Sequence, residues 1–325
     1  MVIGAVGLKT HIWNNNVMSL ALMAMFPALF IFISWAVITA TAIAEHMHFK
    51  KVPFDYTVFE IGSTLGRDQT ILISPYIFAG VAIWFIIAYF FHTKMINRLT
   101  HAKAITRKSQ PKLYNMLENM CISRGIPMPA LQIMDSPALN AYASGINNKT
   151  FSITFTKGLI EKLNDDEIEA VMAHELTHIL NRDVRLLIVS IIFVGIISTL
   201  FEAVARGLLR SSTRTRKKGS FAIIAGIVAI AIAYLFATLI RLAISRKREY
   251  MADAGAVELT KKPQAMISAL EKISGNDKID NVDSEVKQMF IENAPKFNFM
   301  KTGFFSIFMT HPPIEKRIEV LKKFT

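Results

Sequence analysis

His174-Glu175-Leu176-Thr177-His178 sets two imidazoles four residues apart with a carboxylate beside the first. On a helix that spacing brings both rings to one face, where a nitrogen from each can converge on a single cation. A hydrolytic zinc site needs one more protein ligand and one position left to water. Glu249 is the choice for that ligand. Its Glu-x-x-x-Asp spacing to Asp253 puts a second carboxylate one turn further on, able to accept a hydrogen bond from a ligand histidine's outer N–H. Zinc lowers the pKa of its bound water from about 15.7 towards about 7 and polarises a scissile carbonyl. Glu175, off the metal, would take the water's proton and deliver it to the leaving amine. A lone His-Glu-x-x-His also occurs as a surface pattern; the Glu249–Asp253 pair and a downstream His-Pro motif argue against that here. The expectation is one Zn²⁺ per chain on His174, His178 and Glu249, with Asp253 behind a histidine.

The elements that must position these groups can be read nearby. Asn164 suits a helix N-cap, Asp165 and Asp166 suit the positive end of its dipole, and Glu167 stands at the capping-box position. Ile168, Val171, Met172 and Ile179 give this helix an apolar stripe. Upstream, Ala130 to Asp135 and Phe151 to Thr156 read as strands of a small sheet. Between them, Asn140-Ala141-Tyr142-Ala143-Ser144-Gly145 is small-residue extended chain before an Asn147-Asn148 turn. Asn140, Ala141, Tyr142 and Ala143 are the candidate edge to which a substrate peptide adds as a strand; the alternative is an internal hairpin with both edges covered. Asn148-Lys149-Thr150 is a formal glycosylation sequon that reads better as a turn.

The chain of 325 residues is 52% hydrophobic, with a mean hydropathy of +0.36, which places much of it in lipid. Val17 to Ala44 and Ile71 to Phe91 are long, nearly charge-free runs, followed later by Val184 to Leu208, broken near its end by Glu202 and Arg206, and Phe221 to Ala243. The first run exceeds the apolar core of a cleaved signal and is expected to stay as an anchor. Lys94, Arg98, Lys103, Arg107, Lys108 and Lys112 precede the next acid, Glu118, which predicts a cytoplasmic face after the second run. Glu45, His46 and His48 read as interfacial polar residues. The third and fourth runs flank a basic connector with Arg210, Arg214, Arg216, Lys217 and Lys218. Two crossings would put that connector outside, against the positive-inside rule, whereas a hairpin dipping into the membrane or packed on protein would keep it inside. Two crossings are the expectation, and both routes return Glu249 to the face that carries His174.

The single cysteine, Cys121, excludes an intramolecular disulfide, suits a reducing compartment and has no evident base to make it a nucleophile. A net charge of +12 could suggest nucleic acid, but the cations crowd around hydrophobic segments, so anionic lipid headgroups are the simpler partner. The fold expected is a mainly α membrane protein with about four hydrophobic helices and a split α+β zincin-like catalytic domain with a small sheet. Residues 1–95 would form an N-terminal membrane hairpin and 96–183 the first catalytic part. A second hydrophobic hairpin, 184–243, separates these from the second catalytic part, 244–325.

Several stretches together resemble the HtpX-type membrane zinc endopeptidases, which are related to the CAAX prenyl proteases and belong to the gluzincins. They are Asn140 to Gly145, Glu169 through Asp183, Ser245-Arg246-Lys247-Arg248-Glu249 with Ala252-Asp253-Ala254-Gly255, and Thr310-His311-Pro312-Pro313 with Arg317. Two hydrophobic runs before the zinc helix and two after it fit the same resemblance, which covers roughly residues 70 to 325. It implies zinc on His174, His178 and Glu249, Glu175 as general base, and an active site facing the cytoplasm in a bacterial inner membrane. It also brings forward His311 and Arg317 as catalytic groups that could stabilise a tetrahedral oxyanion. Read without it, His311 is a loop histidine beside a Pro-Pro turn, and Arg317 a helix arginine that pairs with a carboxylate.

The function expected is a zinc-dependent endopeptidase that cleaves misfolded or damaged membrane proteins, the quality-control role coming from the resemblance alone. One alternative is selective processing of a lipidated or short peptide. Another is a non-enzymatic membrane scaffold with structural zinc, which the intact Glu175 argues against, because structural zinc needs no adjacent base.

Overall fold

The computed structural model describes residues 8–51, 53–188, 248–274 and 312–325. The first two apolar runs fall on α1 (Leu8–Lys50) and α2 (Tyr56–Thr100), of 43 and 45 residues. At a rise of about 1.5 Å per residue, each is about twice as long as a hydrocarbon core of about 30 Å is thick. Pro27–Met47 and Tyr56–Lys94 are the segments long and apolar enough to cross it. Ile71, Leu72, Phe78, Ile83 and Phe90 are exposed on α2, as suits a helix whose solvent is lipid. α1 and α2 approach closely at Gly62 and Gly66, one turn apart, where an added Cβ would strike Ile43 and Thr39 respectively. Residues 184–188 of the third run are helical; the rest of that run, the fourth run, the basic connector, Glu202, Arg206 and His311 lie outside the described residues.

The chain divides into two units, and the described parts of one are residues 8–19, 90–188, 248–274 and 312–325. Its sheet has four strands in the order β1 (Lys103–Ala104), β2 (Ala130–Met134), β4 (Ser152–Thr156), β3 (Ala141–Ser144). β2 and β4 match the two expected strands of a small sheet, and they pair in parallel. β3 and β4 are the antiparallel hairpin. Gly145 makes its turn possible: φ is 113°, and a Cβ there would meet the Thr150 carbonyl oxygen at 2.5 Å. Leu131, Ile153 and Ala143 form one cross-strand row, Gln132, Thr154 and Tyr142 the next. One face is therefore apolar and the other carries hydroxyls and amides.

α3 (Pro111–Arg124) starts with Pro111 and stops at Gly125, whose φ of 63° gives a left-handed cap. In that cap the Gly125 and Ile126 N–H groups bond the Ile122 and Cys121 carbonyls. After the short α4 (Lys157–Lys162) comes α5 (Asp165–Leu180), with the reciprocal cap its sequence predicts. Asn164 Oδ1 accepts from the Glu167 N–H at 3.0 Å, and a Glu167 carboxylate oxygen accepts from the Asn164 N–H at 2.8 Å. Ile168, Val171, Met172 and Ile179 are all buried, and α5 lies against β3, β4 and α3.

Residues 183–188 are helical (α6), as are 248–260 (α7), followed by α8 (Pro263–Ile273) and α9 (Ile314–Leu321). α8 is fastened to α5 through the capping residue itself, since Glu167 accepts from Ser268 Oγ at 2.6 Å and from Lys272 Nζ at 2.7 Å. Lys262 Nζ adds bonds to Asp166 at 2.6 Å and Glu169 at 2.7 Å. α9 packs on α8.

Candidate metal centre

α5 is capped at the turn before its stripe, so its register is fixed, and the four-residue spacing turns His174 and His178 to one side. Their Nε2 atoms are 3.1 Å apart, with ring centroids at 4.7 Å. α7 brings up Glu249, whose carboxylate oxygens lie 3.6 Å from His174 Nε2 and 3.7 Å from His178 Nε2. These are the donor atoms of a group able to hold a metal ion.

The chemistry of the donor set fits a cation. Asp253 Oδ1 stands 3.0 Å from His174 Nδ1, and Asp183 Oδ2 stands 3.2 Å from His178 Nδ1. The Asp183 contact is a hydrogen bond to His178 Nδ1, whereas Asp253 stands beside His174 Nδ1 as a close charge. In both rings a proton on Nδ1 leaves Nε2 as the inward lone pair beside Glu249. Tetrahedral zinc with metal–nitrogen bonds of about 2.0–2.1 Å spaces its donors by about 3.3 Å, close to the observed triangle.

Burial makes this a low-dielectric site: His174, Glu175, Glu249 and Asp253 are all 5% exposed or less. Burial opposes protonation of His174, but Asp253 and Glu249 outweigh it and raise the ring to about 9, so a metal must compete with a proton there. Burial pushes the Glu175 carboxyl up, with the Glu249 charge adding to the rise and the histidines and Arg317 opposing it. For Asp253 burial also works upward, but Arg317 and His174 outweigh it and hold this carboxyl below its usual range.

Arg317, from α9, is 1% exposed and grips Asp253 with two bonds, Nε to Oδ2 at 2.9 Å and Nη2 to Oδ1 at 2.6 Å. Its Nη1 stands 3.6 Å from Glu249 Oε2. The arginine therefore pairs with the carboxylate behind a histidine, the simpler of the two readings its sequence allowed.

Asn140 to Ala143 lie at the sheet edge that β3 forms. The Thr156 N–H bonds the Asn140 carbonyl at 3.0 Å, so in an antiparallel ladder Asn140 and Tyr142 face β4 while the backbones of Ala141 and Ala143 face the outer edge. The Ala141 N–H is held by Asn140 Oδ1 at 3.0 Å. Tyr142 is anchored by its hydroxyl, which donates to Thr100 Oγ1 at 2.9 Å.

Residues 107–325 match Peptidase family M48. The chain belongs to peptidase family M48. A Protease HtpX homolog of Bacteroides fragilis (strain YCH46) is 48% identical over 328 residues, covering 98% of this chain and 99% of that protein. A Protease HtpX homolog of Limosilactobacillus reuteri (strain DSM 20016) is 38% identical over 237 residues, covering 71% and 79%. A crystal structure of Ste24p from S. mikatae aligns at 20% identity with a TM-score of 0.47, over 95% of this chain and 66% of that one.

In this M48 chain, three participants carried no assigned role in the sequence reading. Asp183 follows the end of α5, where helical periodicity no longer predicts direction, and so its approach to His178 was not legible. Arg248 precedes Glu249 and reaches back to Asp183, its Nη1 donating to the Asp183 carbonyl at 3.1 Å and standing 3.8 Å from Oδ1. Gly255 is where α7 meets α5, because a Cβ there would meet Thr177 Oγ1 at 2.7 Å. Its place two residues after Asp253 was the available signal.

Proposed function

We propose that this M48 peptidase is a zinc-dependent endopeptidase of a bacterial inner membrane that cleaves misfolded or damaged membrane proteins, working from a multi-pass anchor with its catalytic part in the cytoplasm. The observation that carries the peptidase reading is the convergence of His174, His178 and Glu249 donors beside the buried carboxylate of Glu175. Membership of a metallopeptidase family and two helices able to cross a membrane make the chain a membrane metalloprotease. The name of its relatives, Protease HtpX homolog, supports the quality-control role.

Zinc, when bound, would supply an acidified water and polarise the scissile carbonyl. His174, His178 and Glu249 would hold it, with Asp253 and Asp183 orienting the rings. Glu175 would take the proton of the attacking water and hand it to the leaving amine; its raised carboxyl suits a proton that is held briefly and given up. Ala143, with the Ala141 carbonyl, would receive the substrate backbone as an added strand once the cover over this buried edge moves aside, which selects for extended conformation more than for side chains. His311 would stabilise the developing oxyanion, whereas Arg317 acts through Asp253. The cationic residues Lys94, Arg98, Lys103 and Lys108 would meet anionic headgroups. The catalytic part would be split, residues 96–183 and 244–325, around a second hydrophobic hairpin.

The test is cleavage of an unfolded polypeptide by detergent-purified protein, with metal content measured alongside. Activity lost to a chelator and restored by zinc, and absent in a Glu175→Gln variant that still binds zinc, is the expected result. Undiminished cleavage by Glu175→Gln, or equal zinc content in wild type and Glu249→Ala, would overturn the assignment of those residues.

A further inference from the structure

Each histidine of the site is backed in the same order by a carboxylate and then a buried arginine. On one side His174 Nδ1 meets Asp253, and Asp253 is gripped by Arg317 of α9. On the other, His178 Nδ1 meets Asp183, and Arg248 of α7 reaches both the carbonyl and the carboxylate of Asp183. All four supporting side chains are buried: Asp253 at 1%, Arg317 at 1%, Asp183 at 4% and Arg248 at 8% exposure.

We propose that Asp183 and Arg248 are positioning residues for His178, the counterpart of Asp253 and Arg317 on His174. The proposal rests on the metallopeptidase reading above and concerns what holds the ligands rather than which residues they are. Arg248 is also the residue before Glu249, so one turn of α7 delivers a ligand to the cation and a support to the opposite histidine. That couples seating of α7 against α5 to the orientation of His178.

The two arginines differ in a way that can be tested. Arg317 meets Asp253 with a two-pronged grip that a lysine cannot reproduce, while Arg248 approaches Asp183 through Nη1, a contact one ammonium can supply. The experiment uses full-length protein in detergent and measures zinc dissociation by chelator competition for wild type, Asp183→Asn, Arg248→Gln, Arg248→Lys and Arg317→Lys. Melting temperatures with and without zinc are measured in parallel. Asp183→Asn and Arg248→Gln should weaken zinc binding by about 10–100-fold, the usual effect of losing a partner behind a ligand histidine. Arg248→Lys should recover most of that loss, and Arg317→Lys should not. Breaking a buried pair should lower the zinc-free melting temperature as well, but the upward shift on adding zinc should shrink beyond that common loss.

Wild-type zinc affinity in both Asp183→Asn and Arg248→Gln would overturn the proposal and leave the metallopeptidase reading standing. So would a fall in melting temperature that is equal with and without zinc, which would make the pair merely structural. Failure of the wild type itself to bind any divalent cation would remove the underlying reading as well.

Discussion

Gly255→Ala adds one methyl group where α7 crosses α5, and its consequence should appear at the metal. The new Cβ would lie 2.7 Å from Thr177 Oγ1, 3.1 Å from Thr177 Cβ, and in harder contact still with Thr177 Cγ2. Restoring ordinary contact requires α7 to withdraw by about 1 Å, and overpacking of this kind typically costs about 1–3 kcal/mol. α7 is a rigid helix that carries Glu249 and Asp253 less than two turns away, whereas ligand distances must hold to about 0.2 Å. Zinc affinity should therefore fall by at least about tenfold, equivalent to about 1.4 kcal/mol. The assay is chelator competition on wild type, Gly255→Ala, Thr177→Ala and the double variant. Thr177→Ala removes Oγ1 and Cγ2, the two atoms in worst conflict, and gives up only the hydroxyl's 2.7 Å bond to the Ala173 carbonyl. The double variant should regain most of the lost affinity. Unchanged zinc binding in Gly255→Ala, or a defect that persists in full when Thr177 is also shortened, would refute the idea that this crossing sets the ligand geometry.

Other outcomes follow from the same structure. Burial raises the Cys121 thiol to about 11, with Glu118 adding to it, so the thiol stays neutral at pH 8; alkylation should be slow in the folded protein and rapid once it is unfolded. Burial pushes the Glu167 carboxyl up, but Lys272, Ser268 and the Asn164 N–H outweigh it and hold it below its usual range. A depressed carboxyl stabilises the fold above the unfolded value of about 4.3 and loses that contribution as pH falls through the folded value. Glu167→Gln should therefore lower stability at pH 7 by about 1.5–3 kcal/mol, with the gap to wild type closing below about pH 4 in thermal melts. Lys261 ends α7 at φ 58°, a conformation that costs a side-chain-bearing residue about 1–2 kcal/mol, so Lys261→Gly should raise the melting temperature. A lowered melting temperature would mean that contacts of the Lys261 side chain outweigh the backbone strain.

Local features of the site were legible without coordinates. The cap at Asn164 and Glu167, the stripe on α5 and the shared face of His174 and His178 depend on neighbours within a few residues, so periodicity and side-chain chemistry are enough to find them. The same holds for β2, β4 and the turn after Gly145. Sheet order was not legible, because parallel pairing of β2 with β4 joins segments about twenty residues apart whose alternation would serve equally in a hairpin. The sequence did nominate Glu249 and Asp253, since their spacing is helical.

What tertiary structure alone decided is what stands behind the ligands. Arg317 lies 64 residues after Asp253, and its pairing with that carboxylate depends on where α9 packs. Asp183 sits just beyond the end of α5 and Arg248 is 65 residues further along, so no period links them. The physical reason is that helical spacing fixes direction only within one helix. Burial, charge balance and the hydrogen bonds of a guanidinium are set by segments that the chain brings together from far apart. The amino-acid sequence by itself determined which residues could bind a metal, and the packing of α7 against α5, with Arg317 of α9 bonded to Asp253 of α7, decided how firmly those residues are held.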